Sequence, residues 1–171
     1  MQELISPAHM PQPADLSVPG EFYVVLPGLA GMPYPVENFP WVAVGEMGYR
    51  YVVDLTGQSS YDPAPLEQLA SVRLQDLFQG GSPHNPQPEA AKIHALVRQI
   101  EPLWRAGDGI VIHCAGGRGR TGTVIGCLLR SLGYDADTVI AYLNDLHQAR
   151  GREGWPESVW QSDLVRSWPV G

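Results

Sequence analysis

The chain has 171 residues and a formal net charge of -7. That is about one domain's length, and 44% hydrophobic with 17% charged residues is a globular rather than a disordered composition. The acidity argues against a general nucleic-acid or membrane-surface binder, which excess Lys and Arg would serve, and no apolar run approaches the roughly 18 residues that span a bilayer.

Residues 1–20 are proline-rich, close on Gly20 and read as an extended lead-in. Glu3 and Asp15 stand where a secretory signal would have a basic start leading into an apolar stretch. Residues 21–171 read as a single domain. Phe22 to Leu26 has strand character, and Gly28 to Pro35 is dense in turn formers. Val36 to Gly48 suggests a short helix around Pro40. Tyr51 to Leu55 reads as a buried strand and Ser71 to Leu74 as a weaker one, followed by a loop from Asp76 to Pro88. Ile93, Leu96, Val97, Ile100, Leu103 and Trp104 give Glu89 to Ala106 a helical apolar face, with Pro88 in the first turn.

Gly107-Asp108-Gly109 breaks that helix, and Ile110-Val111-Ile112 is a short apolar strand. Thr121 to Ser131 is an apolar, buried helix stopped by Gly133. Asp135 or Asp137 caps the next, which runs through Val139, Ile140, Leu143 and Leu146. A last helix starts at Pro156 and carries Val159, Trp160, Leu164, Val165 and Trp168. Strands alternating with helices indicate an α/β fold with a central, mostly parallel sheet flanked by helices. Met residues, Trp104 and Trp160 fall at core spacing and require no cofactor.

Between that apolar strand and its following helix lies His113-Cys114-Ala115-Gly116-Gly117-Arg118-Gly119-Arg120-Thr121. A helix N-terminus exposes unpaired N–H groups and the positive end of its dipole, an anion site. Gly116, Gly117 and Gly119 let the backbone curl so that several N–H groups converge. Arg120 supplies a guanidinium that holds two phosphate oxygens in one plane. The same field favours the thiolate of Cys114, a nucleophile able to attack phosphorus. Thr121 is placed to donate its hydroxyl to that sulfur, and His113 to order the loop by hydrogen bonds rather than to act as a base. Cys114 and Cys127 suggest neither a disulfide scaffold nor a zinc site, and two lone thiols fit a reducing cytoplasm. No metal or cofactor is called for.

His113-Cys114-x5-Arg120-Thr121-Gly122 resembles the signature of the protein tyrosine and dual-specificity phosphatases. Pro27-Gly28-Leu29-Ala30-Gly31, Val53-Asp54-Leu55-Thr56 and Pro156-Glu157-x3-Gln161 resemble compact members of the kinase-associated and Cdc14-like group. The resemblance implies phosphomonoester hydrolysis through a phosphocysteine and an acid on an upstream loop. Asp76 fits that acid, with Asp62 as the alternative; Asp54, ending a strand, and Asp108, in a tight turn, fit less well. Gln161 resembles the glutamine that positions water for hydrolysis of the phosphoenzyme. Arg150 and Arg152 stand near enough in sequence to extend the anion site.

The expected function is that of a protein tyrosine / dual-specificity phosphatase; Arg118 departs from the relatives' apolar or small residue, and as a second loop cation it makes a phosphatase of inositol phosphates or phosphoinositides the alternative. A sulfurtransferase or an inactive phospho-binding module fits less well, given Cys114, Arg120-Thr121 and Asp76. The expected ligands are a phosphorylated protein or small phosphorylated molecule, with phosphate, sulfate or vanadate in the loop.

Overall fold

A computed structural model of the chain describes residues 1–9 and 22–170. From residue 10 onward, the expected lead-in lies outside the described residues. Five strands form one sheet: β1 (Tyr23–Leu26), β2 (Leu29–Met32), β3 (Tyr49–Asp54), β4 (Glu67–Ser71) and β5 (Gly109–His113), in the order β1-β2-β5-β3-β4. β1 and β2 are antiparallel, and the remaining pairs are parallel.

β5 is the central strand and is buried along its whole length. Alternate side chains enter opposite layers, as a strand's two-residue period requires. Ile110 and Ile112 join the larger core, while Val111 joins Val52, Met32, Trp41 and Val44 on the other face. That smaller layer is covered by α1 (Trp41–Glu46), which follows Pro40. The larger layer carries α2 (Pro86–Arg105), α3 (Gly119–Ser131), α4 (Ala136–Ala149) and α5 (Val159–Ser167). Gly119 and every residue from Thr121 to Leu129 is buried, so α3 is the inner helix around which the others pack.

Several expected boundaries move. Gly28 to Pro35 contains a strand as well as turns. Gly31 pairs with Tyr23, and a Cβ there would sit 2.4 Å from the Tyr23 ring, so glycine admits the aromatic across the strand. The weak strand lies at Glu67–Ser71, upstream of the expected Ser71 to Leu74, although Val72 and Leu74 still donate to Asp54 O and Leu55 O. α2 begins three residues before Glu89, with Pro86 in its first turn. α5 begins at Val159 rather than Pro156 because Ser158 caps it: its hydroxyl accepts from Trp160 N–H while Gln161 reaches back to the Ser158 N–H. Asp135, not Asp137, caps α4. No helix among the described residues is long and apolar enough to cross a membrane.

Candidate active site

β5 delivers His113 and Cys114 to the C-terminal end of the central strand, and α3 starts five residues after Cys114. In between, every carbonyl from Cys114 to Gly119 accepts a hydrogen bond from outside the loop's concave side. Cys114 O meets His113 Nδ1 at 3.2 Å and Ala115 O meets Tyr34 N–H at 3.0 Å. Gly116 O and Gly117 O accept from the Arg150 guanidinium at 3.3 and 3.1 Å, and Gly117 O also accepts from Tyr23 OH at 2.6 Å. Arg118 O accepts from Gly122 N–H. Gly119 O accepts from Thr123 Oγ1 at 2.7 Å and Trp155 Nε1 at 3.2 Å.

Peptide units whose carbonyls are held outward turn their N–H groups inward, which makes an anion cradle. Among the described residues, no backbone acceptor meets the N–H groups of Ala115 to Arg118. The three loop glycines serve different needs. Gly117 has φ +69° and lies against the Met32–Pro33 backbone; Gly119 leaves room for Glu157, whose Oε1 would be 1.6 Å from a Cβ; nothing approaches Gly116.

His113 is fully buried. Because a carbonyl can only accept, its Nδ1 carries the proton shared with Cys114 O, so in the neutral ring Nε2 accepts from Tyr61 OH at 2.5 Å. Burial lowers the pKa of the ring, opposed in part by Asp54. The 3.8 Å approach of Asp54 to Nε2 is therefore a contact with a neutral imidazole, not an ion pair. Burial works against the Asp54 charge, but hydrogen bonds from Thr56 and Ser71 prevail and hold its carboxyl below the usual range. Asp54 thus underpins the loop from beneath and faces no substrate.

Cys114, only 2% exposed, opens onto a cavity of about 530 Å³ that Asp76, Phe78, Arg120 and Glu157 also line. Arg120 donates to Leu74 O and pairs with Asp76 Oδ2, both at 3.4 Å. The structure brings Asp76 to the cavity that Cys114 lines; Asp62 is exposed and accepts from Ala64 N–H in a turn, and Asp108 pairs with Arg50. The loop that opens at Asp76 is tied at its far side, where Ser158 Oγ donates to Gly81 O. Thr121 Oγ1 is buried with no hydrogen-bond partner among the described residues.

Two expected roles meet a different geometry. Arg118 lines the cavity, but it pairs with Glu157 at 3.2 Å and donates to Gly154 O at 2.9 Å. Its charge is countered by a carboxylate inside the same cavity, which weakens the case for a free second cation. Gln161 is 2% exposed, and its Oε1 accepts from the N–H groups of Glu157 and Ser158 at 2.9 and 3.3 Å; it is not among the residues lining the cavity. Arg150 clamps the loop from outside, whereas Arg152 lines the cavity.

Glu157, Tyr23, Tyr61 and Trp155 belong to the site without having been singled out for it from the sequence. Burial pushes the Glu157 carboxyl up while Arg118 opposes it. Among the described residues no three His, Cys, Asp or Glu gather as metal ligands would.

Solved structures share this fold. TpbA of P. aeruginosa is 20% identical with a TM-score of 0.65, over 93% of this chain and 90% of that one. A mouse putative dual specificity phosphatase, crystallised with zinc tungstate, is 18% identical with a TM-score of 0.68, over 89% and 88%. The core catalytic domain of the S. cerevisiae PP-IP phosphatase SIW14 is 15% identical with a TM-score of 0.62, over 89% and 88%. Residues 21–155 match the family model described as a Swiss Army Knife protein, DSP-PTPase phosphatase domain. The chain belongs to that family and is a cysteine-based phosphoric monoester hydrolase of the protein tyrosine and dual-specificity class.

Proposed function

We propose that the protein dephosphorylates phosphoproteins through a phosphocysteine on Cys114, in one catalytic domain spanning 21–171. The observation that carries this reading is the set of outward-held carbonyls around Cys114, opening on a cavity that also holds Arg120 and Asp76. A phosphate monoester in the cradle is gripped by the loop N–H groups and, in two-pronged fashion, by Arg120. The Cys114 thiolate attacks phosphorus; the P–O ester bond breaks, and its electron pair goes to the leaving oxygen as Asp76 delivers a proton. Asp76 leaves Arg120 for this step and, now ionised, takes a proton from the water that attacks the phosphocysteine. The P–S bond breaks, and Thr121 donates a hydrogen bond to the departing thiolate. With Oε1 committed to the helix cap, only the amide nitrogen of Gln161 is left to orient that water.

Pairing of Arg118 with Glu157 supports the phosphoprotein reading over the inositol phosphate one, since it removes the extra cation on which the latter rested. TpbA has been solved in complex with pTyr, which suits a phosphotyrosine-bearing substrate here. Two free buried cysteines suit a reducing, cytoplasmic setting. The test is turnover of phosphotyrosine peptides, phosphothreonine peptides and inositol phosphates side by side. Higher kcat/KM on peptides is expected; a clear preference for inositol phosphates would overturn the assignment.

A further inference from the structure

Arg120 lies between the catalytic cavity and a second recess of about 530 Å³, which shares Arg120 and Ala115 with the loop. Tyr34, Thr56, Gln58, Ser60 and Arg73 complete that recess. Its lining holds two guanidinium groups, hydroxyls and an amide, but no carboxylate. On the other flank the catalytic cavity is edged by Arg118 and Arg152 together with Glu153 and Glu157, so the two signs offset each other there, whereas the recess lining carries cations alone.

Arg73 is exposed at the entrance to the acid loop, on a backbone fixed from three directions. Its carbonyl accepts from Lys92 Nζ at 3.0 Å, and the next residue's N–H donates to Leu55 O at 3.1 Å. Gly57 packs so closely that a Cβ there would lie 2.8 Å from the Arg73 Cβ. Arg50, Arg105, Arg118, Arg120 and Arg166 are each paired with a carboxylate. Among the described residues Arg73 has no such pair. The floor is also rigid: Tyr34 OH donates to Gln58 O at 2.8 Å and accepts from Ser60 N–H at 3.0 Å. Arg73 also borders a recess with His84 and Lys92, but that one contains Asp76 and Glu89 and so offers an anion less.

We propose that the Tyr34–Ser60–Arg73 recess is a subsite for a second anionic group on a phosphopeptide, adjacent to the scissile phosphate, and that Arg73 reads it. The anion is a carboxylate or a second phosphate on a residue flanking the phosphotyrosine, and the inference rests on the phosphoprotein reading above. A charge-assisted contact to an exposed arginine gives a preference of about twofold to fivefold, and added salt erodes it.

The experiment compares kcat/KM on three phosphotyrosine peptides whose flanking residues are Ala, Glu or phosphothreonine. The wild type is expected to prefer both anionic peptides, with the Glu and phosphothreonine arms showing which anion the recess favours. Arg73→Gln should bring the anionic-to-Ala ratio close to one. Arg98→Gln, an exposed charge on α2 outside the recess, should leave the ratio as in the wild type. No anionic preference in the wild type, an unchanged ratio in Arg73→Gln, or an equal fall of the ratio in Arg98→Gln would each overturn the subsite. If even the Ala peptide is not hydrolysed while small phosphate esters are, it is the phosphoprotein reading that fails.

Discussion

Gly116 and Gly117 are adjacent, yet the structure gives alanine opposite consequences at the two positions. At Gly117, φ is +69°, a left-handed conformation that costs an L-residue about 1–2 kcal/mol. The new Cβ would lie 2.5 Å from Met32 C, 2.6 Å from Pro33 N and 2.7 Å from Met32 O. These are backbone atoms at the end of β2, which is paired to β5 and cannot swing aside as a side chain would; overpacking of that kind costs a further ~1–3 kcal/mol. The sum, roughly 2–5 kcal/mol, corresponds to a Tm loss of about 4–20 °C for a chain of this size. A loop that relaxed instead would break the Gly117 carbonyl from Tyr23 and Arg150 and lose its cradle. Gly116 has no positive φ and nothing within 4 Å, so Gly116→Ala should stay within about 0.5 kcal/mol of the wild type. Thermal unfolding, with turnover of an aryl phosphate alongside, measures both. A Gly117→Ala protein with wild-type Tm and rate, or equal damage from Gly116→Ala, would refute the account of the loop.

Cys114→Ser should abolish turnover but retain vanadate binding, because the N–H cradle and Arg120 remain; measurable turnover by the clean variant would remove Cys114 as nucleophile. Asp76→Asn should slow turnover by about 10²–10⁴-fold, more for alkyl than for activated aryl leaving groups, and equal losses on both would assign Asp76 a structural role. Burial, with Arg150, Arg118 and Arg152 adding, pushes the His147 imidazole down to about 3, against about 6.5 in the unfolded chain. Below pH 6.5 the unfolded chain takes up a proton that the folded form refuses. Stability is therefore full above that pH and is lost as pH falls towards 3, by up to roughly 5 kcal/mol at 1.36 kcal/mol per unit. His147→Gln should flatten the fall of urea midpoint with acid; an unchanged slope would contradict it.

The strand-loop-helix and the family were legible because strand, cysteine, glycines, arginine and helix are contiguous, and the helices were legible from their 3.6-residue apolar spacing. β2 was hidden because its Gly31 mimics a turn residue, when its purpose is to admit the Tyr23 ring. β4 was misplaced because it is an edge strand whose residues are exposed or half-buried; the apolar signal shifted downstream to Val72 and Leu74. The loop's supports were hidden for another reason. Tyr23 and Gly117 stand 94 positions apart, and no local pattern reports such a contact. The countering of Arg118 by Glu157 escaped notice likewise, since a chain's net charge says nothing about which side chains meet.

Glycine-rich loops commonly open locally at small free energy. This one leans on a tyrosine of β1, the backbone of Tyr34 beyond β2, the arginine after α4 and the tryptophan before α5. Opening it means parting from all four segments, so it belongs to the same cooperative unit as the sheet, despite a composition that would suggest the loosest part of the chain. Exchange of the hydrogen-bonded amides of β5 and α3 on either side of the loop is then governed by unfolding of the whole layer, whereas the loop's own inward N–H groups, which meet no backbone acceptor, carry no such protection. On this account the cradle and the sheet are gained and lost together in the wild-type chain, so a fall in folded fraction and a fall in competent sites should track one another.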